Sequence, residues 1–271
     1  MGSKVDDPAA PRVYIDPMTK TVTAAVLLIG DELLSGRTQD TNLKTIATFI
    51  APLGVQVKEA RVVSDEPERI ADAVNALRSA YDYVFTTGGI GPTHDDKTAD
   101  AVALAFGVPI GVRDDAKAIL VAHYGAEDKL NEARLRMARI PEGASLIANP
   151  VSKAPGFQLG NVFVMAGVPS IMRGMLEDIG PRLQGGAVML SVTLRCKGLR
   201  EGDLAAGFAA IEERLPGVSL GSYPWFAPGG DYGVQLVARS QDQDTLAEAV
   251  LAMESLALGL GATPERLDAP A

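Results

Sequence analysis

The sequence has little of what most often announces a chemistry. Of its 271 residues one is cysteine, Cys196, and two are histidine, His94 and His123. A single thiol excludes an intrachain disulfide and a cysteine-rich zinc site. No histidine stands near Cys196 in sequence to activate it, so a half-buried strand residue is expected there. Neither histidine has a second one at metal-ligand spacing. His123 reads as an ordinary helix residue, whereas His94 sits inside a glycine-rich segment and is placed to touch a ligand. Positive charge is also short. Lys and Arg number 25 against 34 Asp and Glu, a net charge of −9. That disfavours a nucleic-acid partner, which needs a basic surface, but leaves room for a local positive pocket. There is no run of 18 apolar residues and no basic–apolar–small N-terminal pattern, so no membrane partner and a soluble, cytoplasmic protein are expected. Neither a P-loop with its lysine nor a GxGxxG fingerprint is present, nor any internal repeat.

What is there is a full core, with 47% hydrophobic residues, and one dense segment, YDYVFTTGGIGPTHDDKTAD from Tyr81 to Asp100. Tyr83, Val84 and Phe85 read as a buried strand closed by Thr86 and Thr87. Gly88, Gly89 and Gly91 let the backbone turn sharply and leave it open to a ligand. Pro92 stiffens the exit, Asp95 and Asp96 follow, and Lys97–Phe106 has helical apolar spacing. A glycine turn between strand and helix exposes backbone N–H groups and suits a phosphate or another anion. Two adjacent carboxylates can hold a divalent metal that bridges to phosphate oxygens. The plainer alternative is a tight turn with Asp95 or Asp96 as helix cap. Three glycines, a proline, two threonines and two aspartates together favour the anion site.

Along the rest of the chain, Thr21–Ile29 is an apolar run suited to a central parallel strand, with Gly30, Asp31 and Glu32 at its end. Asp40, Thr41 or Asn42 caps the next helix, which Gly54 ends. Val55–Val63 is the second strand, and Ser64 or Asp65 caps a helix with Pro67 in its first turn. In open α/β sheets, ligands bind beyond the carboxyl ends of the strands. Strands one to three deliver Asp31, Asp65, and Asp95 with Asp96 to that edge, which points to a metal–phosphate site. Asp114–Tyr124 and Glu127–Arg139 read as helices. Arg134, Arg136 and Arg139 on the second read mainly as a solvated face, from which one or two could reach an anion. Ser145–Ala148 and Val162–Met165 are strands, and Ser170–Leu183 is a helix. After about residue 185 the pattern becomes β-α-β-β-α: strand Ala187–Arg195, helix Glu201–Leu215, strands Val218–Ser222 and Tyr232–Arg239, helix Asp242–Leu258. Ser222–Phe226 with Pro228-Gly229-Gly230 reads as a hairpin with a packed aromatic cluster, or else a lid or subunit contact. The expected organisation is a loose tail over 1–20, one domain over 21–185, a small α/β domain over 186–260 and a disordered tail over 261–271.

TTGGIGPTHDDKTAD resembles the signature of the MoaB/Mog family, the molybdopterin-binding domain. The closer likeness is to its CinA branch, with its GGxGPTxDDxT motif. GDELLSG at Gly30–Gly36, Asp40-Thr41-Asn42, NPVSKAPGF at Asn149–Phe157, AGVPSIM at Ala166–Met172, and the later GLREGDLA and GSYPWF agree with that branch in order and spacing. The resemblance implies a three-layer α/β/α sandwich with a mostly parallel sheet, followed by a smaller KH-like α/β domain. No GxxG with basic neighbours supports an RNA-binding role for the latter. It implies a nucleotide or pterin-phosphate ligand held by Thr87, Gly88, Gly89, Gly91, Pro92 and Thr93. It also implies catalytic Asp65 and Asp96, a divalent metal (Mg²⁺, or Mn²⁺ or Co²⁺) on Asp65, Asp95 and Asp96, and further ligand contacts at Asp31, Asn42, Asp100, Lys153, Pro155 and Gly156. The branch usually reads NPxGTAPG where this chain has Ser152 and Lys153, which removes a glycine and adds a lysine that can pair with phosphate. The implied activity is metal-dependent cleavage of a nucleotide pyrophosphate such as ADP-ribose or FAD. Molybdopterin adenylylation and a non-catalytic binding module are the alternatives. No deamidase domain is expected, and the relatives imply a homo-oligomer, dimer or trimer.

Overall fold

A computed structural model of the chain describes residues 20–267. The tail expected over 1–20 lies outside the described residues except for Lys20, which pairs with Asp82 at 3.1 Å. The chain divides into two compact units, Met1–Ala187 and Val188–Ala271.

The first unit runs β1 (Val22–Ile29), α1 (Asp31–Leu34), α2 (Asn42–Ile50), β2 (Val55–Val63), α3 (Pro67–Ala80), β3 (Tyr83–Thr87), α4 (Thr98–Phe106), β4 (Ile110–Val112), α5 (Asp114–Tyr124), α6 (Glu132–Arg136), β5 (Arg139–Pro141), β6 (Ser145–Ile147), β7 (Gly156–Leu159), β8 (Val162–Met165) and α7 (Pro169–Ile179). Six strands form one sheet in the order β2-β1-β3-β8-β7-β6. The first four are parallel, while β7 and β6 join antiparallel at one edge. Central β1 is apolar on both faces because both are covered. Ala25, Leu27 and Ile29 pack with Ile70, Val74 and Leu77 of α3 and Val102 of α4. Ala24, Val26 and Leu28 pack on the other side with Ile46 and Ile50 of α2 and Met172 and Met175 of α7. This is the expected three-layer sandwich. Phe85 and Phe163, partners across β3 and β8, stack at 5.3 Å in the second of these cores. Burying each such ring is worth about 1.5–3 kcal/mol.

Several local expectations are corrected. No side chain caps α3. Its N-cap is Glu66, and Asp65 turns away to accept the Asp31 amide at 2.9 Å. Neither Asp95 nor Asp96 caps α4. The long helix expected over Glu127–Arg139 is a 3₁₀ turn at Glu127–Lys129 followed by the short α6, capped by Asn131 on the Arg134 amide. Arg139 instead opens β5, which pairs antiparallel with β4 through Val112. Helical spacing within the segment lost to that long-range pairing and to Pro141 at the strand's end.

The second unit runs β9 (Leu190–Lys197), α8 (Glu201–Arg214), β10 (Ser219–Phe226), β11 (Tyr232–Ser240), α9 (Gln243–Gly259) and β12 (Pro264–Leu267), with antiparallel sheet order β10-β11-β9-β12. Its core joins Leu194, Cys196, Leu236, Leu204 and Met253. Cys196 is fully rather than half buried, and burial pushes its thiol up. The expected tail is corrected at Pro264–Leu267, where β12 satisfies its backbone against β9; residues 268–271 lie outside the described residues. The β10–β11 hairpin is present, but its aromatics are not all packed. Arg195 covers Trp225 at 4.1 Å, while Phe226 remains 83% exposed.

Candidate functional site

The site forms where β1, β2 and β3 end together. β3 stops at the buried Thr87, and the chain must then pass close to the end of β1. At Gly88, φ is 106° and a Cβ would stand 2.1 Å from the Ile29 carbonyl oxygen. At Gly89, φ is 66° and a Cβ would meet the Thr98 hydroxyl at 2.2 Å. Only glycine fits either position. Fully buried Thr98, the first residue of α4, closes the turn. Its hydroxyl donates to the Gly88 carbonyl at 2.9 Å and its amide to the Gly89 carbonyl at 3.0 Å. Asp96 fixes the other end, its Oδ2 accepting the Thr93 amide at 2.8 Å and the Thr93 hydroxyl.

This turn walls a cavity of about 390 Å³. Gly88, Gly89, Gly91, Pro92 and Asp96 line it from the predicted set, with Glu32 from α1. The opposite wall comes from Asn149, Ser152 and Ala154 and from Ala166–Val168. A drug-sized or nucleotide-sized ligand needs a space of this order.

Other predicted residues lie around the cavity without lining it. Thr87 is buried in the strand and Thr93 is exposed beyond the turn. Asn42, 6% exposed, donates to the Gly167 carbonyl at 2.7 Å and so positions the wall, leaving its Oδ1 buried without a partner among the described residues. Pro155 and Gly156 are buried where β7 starts, and a Cβ on Gly156 would stand 2.4 Å from the Val164 carbonyl, so their role is packing. Asp100 turns behind the glycine turn and pairs with Arg139. Lys153 is exposed and, alone among described non-glycine residues, has a positive φ, 65°.

The acidic residues meet in part. Burial first, then the charges of Asp31, Glu32 and Asp95, push the Asp65 carboxyl above the usual carboxylate range, against the hydrogen bond from Asp31. Asp95 is held below that range, first by the Thr93 hydroxyl, which it shares with Asp96, and then by its own amide. Asp96 is directed into the cavity and its turn instead. Among the described residues, no three His, Cys, Asp or Glu side chains converge as a group able to hold a metal ion by themselves. The expected set of Asp65, Asp95 and Asp96 is therefore not a closed metal cage.

Sequence reasoning missed Asn149. Its side chain donates to Ser152 Oγ at 2.6 Å and the Ala154 carbonyl at 2.7 Å and accepts the Val151 and Ser152 amides, so it shapes the whole opposite loop. The Asn-Pro start of that loop was the available signal. It also undervalued Arg136 and Arg139, which lie against the turn. Arg134 does stack outward, on Tyr124 at 4.2 Å.

Comparison with known proteins places the family. Residues 25–185 match a family model described as a probable molybdopterin binding domain, and residues 189–259 match one described as the FAD synthase middle domain. A CinA-like protein of Desulfosudis oleivorans is 36% identical over 73% of this chain and 51% of its own length. A probable FAD synthase of Caenorhabditis briggsae is 29% identical over 90% of this chain and 51% of its own. The chain thus spans about half the length of these curated relatives. The crystal structure of the protein CinA from Thermoplasma acidophilum superposes with a TM-score of 0.57 at 34% identity, covering 60% of this chain and 99% of that one. No described helix is long and apolar enough to cross a membrane. The match over residues 25–185 covers most of the first unit, and the chain belongs to the molybdopterin-binding-domain family in its CinA-like branch.

Proposed function

We propose that the cavity binds a nucleotide or pterin phosphate and that the chain, with a divalent metal, hydrolyses a nucleotide pyrophosphate of the ADP-ribose or FAD kind. The observation that carries this reading is a 390 Å³ cavity walled by the glycine turn and carrying carboxylates, Glu32 and Asp96, in its lining. Backbone N–H groups of Gly89, Ile90 and Gly91 would hold a phosphate, since the Gly88 amide is spent on the Met165 carbonyl, the Thr93 amide on Asp96, and Pro92 has none; Lys153 would pair with it from the facing loop, where both its chain neighbours line the cavity. The donor set fits Mg²⁺, which takes only one or two carboxylates and draws its other ligands from water and substrate phosphates. Asp95 would hold it, with Asp31 and Glu32 nearby, which leaves Asp65 for the proton. The metal's contribution would be to polarise a phosphoryl oxygen and neutralise developing charge. Asp65, with Oδ2 on the Asp31 amide, has Oδ1 free to take a proton from the attacking water as its oxygen bonds to phosphorus. The bridging oxygen leaves with the second phosphate, so ADP-ribose yields AMP and ribose 5-phosphate. Asp96 keeps the turn in shape and faces the ligand.

The test is AMP release from ADP-ribose and FAD with Mg²⁺, Mn²⁺ or Co²⁺ and with EDTA, for wild type and Asp96→Ala. Metal-dependent release that falls at least about a hundredfold in the variant supports the reading. No release with any metal sinks it. The family's own description then favours a second reading at the same turn, binding or adenylylation of a pterin phosphate.

A further inference from the structure

The glycine turn is a wall shared by two spaces. On one side is the 390 Å³ cavity; behind it is a void of about 20 Å³. Gly89, Ile90, Gly91, Asp96 and Met137 line both. The far side of the void is built by Arg136 at the end of α6, Arg139 at the start of β5, and Asp100 of α4. Arg136 Nη2 donates to the Asp96 carbonyl at 3.1 Å, and Arg139 pairs with Asp100. Each guanidinium keeps an Nε that is buried with no partner among the described residues. Arginine cannot shed its charge to relieve such burial. The void has room for about one water and none for a phosphate. Arg139 is balanced by Asp100, whereas no carboxylate among the described residues pairs with Arg136. Arg136 therefore stands without a direct carboxylate partner one thickness of backbone behind the turn, the Asp96 carboxylate that also lines the void being bonded to Thr93.

On the cavity side the balance is the opposite. Glu32 and Asp96 line the space, and carboxylates repel a phosphate unless a cation intervenes. We propose that Arg136 and Arg139 are positioning residues of the anion site. Arg136 braces the turn through the Asp96 carbonyl and supplies, through it, the field that selects a multiply charged diphosphate over an uncharged nucleoside or pterin, while Arg139 neutralises Asp100 beside it. This rests on reading the cavity as a phosphate site, though not on hydrolysis.

The experiment is calorimetric binding of imidodiphosphate, a non-hydrolysable diphosphate, at fixed free Mg²⁺ and several salt concentrations. Arg136→Gln keeps a donor for the Asp96 carbonyl and removes the charge. It should weaken binding roughly tenfold and flatten the dependence of affinity on salt. Arg136→Lys should stay within about threefold of wild type, since it keeps the charge. Arg139→Gln should weaken binding by exposing Asp100, and adding Asp100→Asn should restore it. Thermal midpoints of the free variants report folding separately. Arg136→Gln binding as wild type at every salt overturns the proposal. So does Arg136→Lys losing as much as Arg136→Gln, which would mean packing rather than charge, and so does a wild type that binds no diphosphate. A wild type that binds imidodiphosphate but releases no AMP from ADP-ribose sinks the hydrolase reading and leaves this inference standing.

Discussion

Lys153 offers the sharpest separation of stability from ligand binding. Its φ of 65° is a left-handed conformation that the other described non-glycine residues avoid. A side chain there costs roughly 1–2 kcal/mol relative to glycine. Lys153→Gly removes that cost but also frees the unfolded chain, which returns roughly 0.5–1 kcal/mol. The expected net gain is about 0.5–1 kcal/mol, or a rise of about 1–4 °C in the unfolding midpoint for a unit of this size. Lys153→Ala keeps the strain and loses the amine, so it should gain nothing. Both variants should bind ADP-ribose more weakly, on the order of tenfold, with a shallower salt dependence, if the lysine pairs with phosphate. Differential scanning calorimetry and titration calorimetry read the two effects independently. A Lys153→Gly protein less stable than wild type refutes the strain argument. Unchanged affinity in both variants refutes the ligand role.

Two further outcomes follow from the same site. Asp65 is raised in the folded state, so its ionisation opposes folding: the stability it contributes is present at low pH and lost as pH rises through its folded value. Asp65→Asn should therefore unfold at a higher temperature than wild type at pH 7, with the gap closing towards pH 3, and should lose metal-dependent turnover; a variant less stable at pH 7 would contradict the burial and like-charge account. Thr98→Val keeps the shape of a fully buried side chain and removes the donor to the Gly88 carbonyl, so it should cost about 1–2 kcal/mol in urea unfolding, while Thr98→Ser should recover much of it.

The three-layer core was legible because β1 and β3 are short apolar runs and α2, α3 and α4 show a helical apolar period, each signal local to its own segment. β5 and β12 were not. Arg139–Pro141 and Pro264–Leu267 carry little strand preference of their own and are strands because β4 and β9 lie alongside them. The same distinction runs through the site. That Asp31, Asp65 and Asp95 stand at one sheet edge follows from strand order, which the sequence pattern supports. Which way each carboxylate turns does not. Asp65 had a local use as a helix cap, and the Asp31 amide, 34 residues away in sequence, took it instead.

That diversion bears on how an acidic chain can hold an anion at all. Had Asp65 and Asp96 capped α3 and α4, each helix N-terminus would have absorbed one negative charge, and the turn would have faced its ligand with little repulsion. In the fold, both carboxylates stay at the site, Asp96 on Thr93 and Asp65 on the Asp31 amide, where Asp65 sits among three like charges. Such an arrangement is unfavourable on its own and would become favourable if positive charge entered from two directions, the proposed divalent cation at the strand ends and arginine behind the glycine turn. On the proposed function the carboxylates would then make the metal and the phosphate bind as a pair, each weakly without the other. Wild type titrated with ADP-ribose in EDTA and in Mg²⁺ should show that coupling as an affinity difference of at least about tenfold, a coupling free energy near 1.4 kcal/mol. Equal affinity in both would place the phosphate on the turn alone and leave the carboxylate rim without a role in binding.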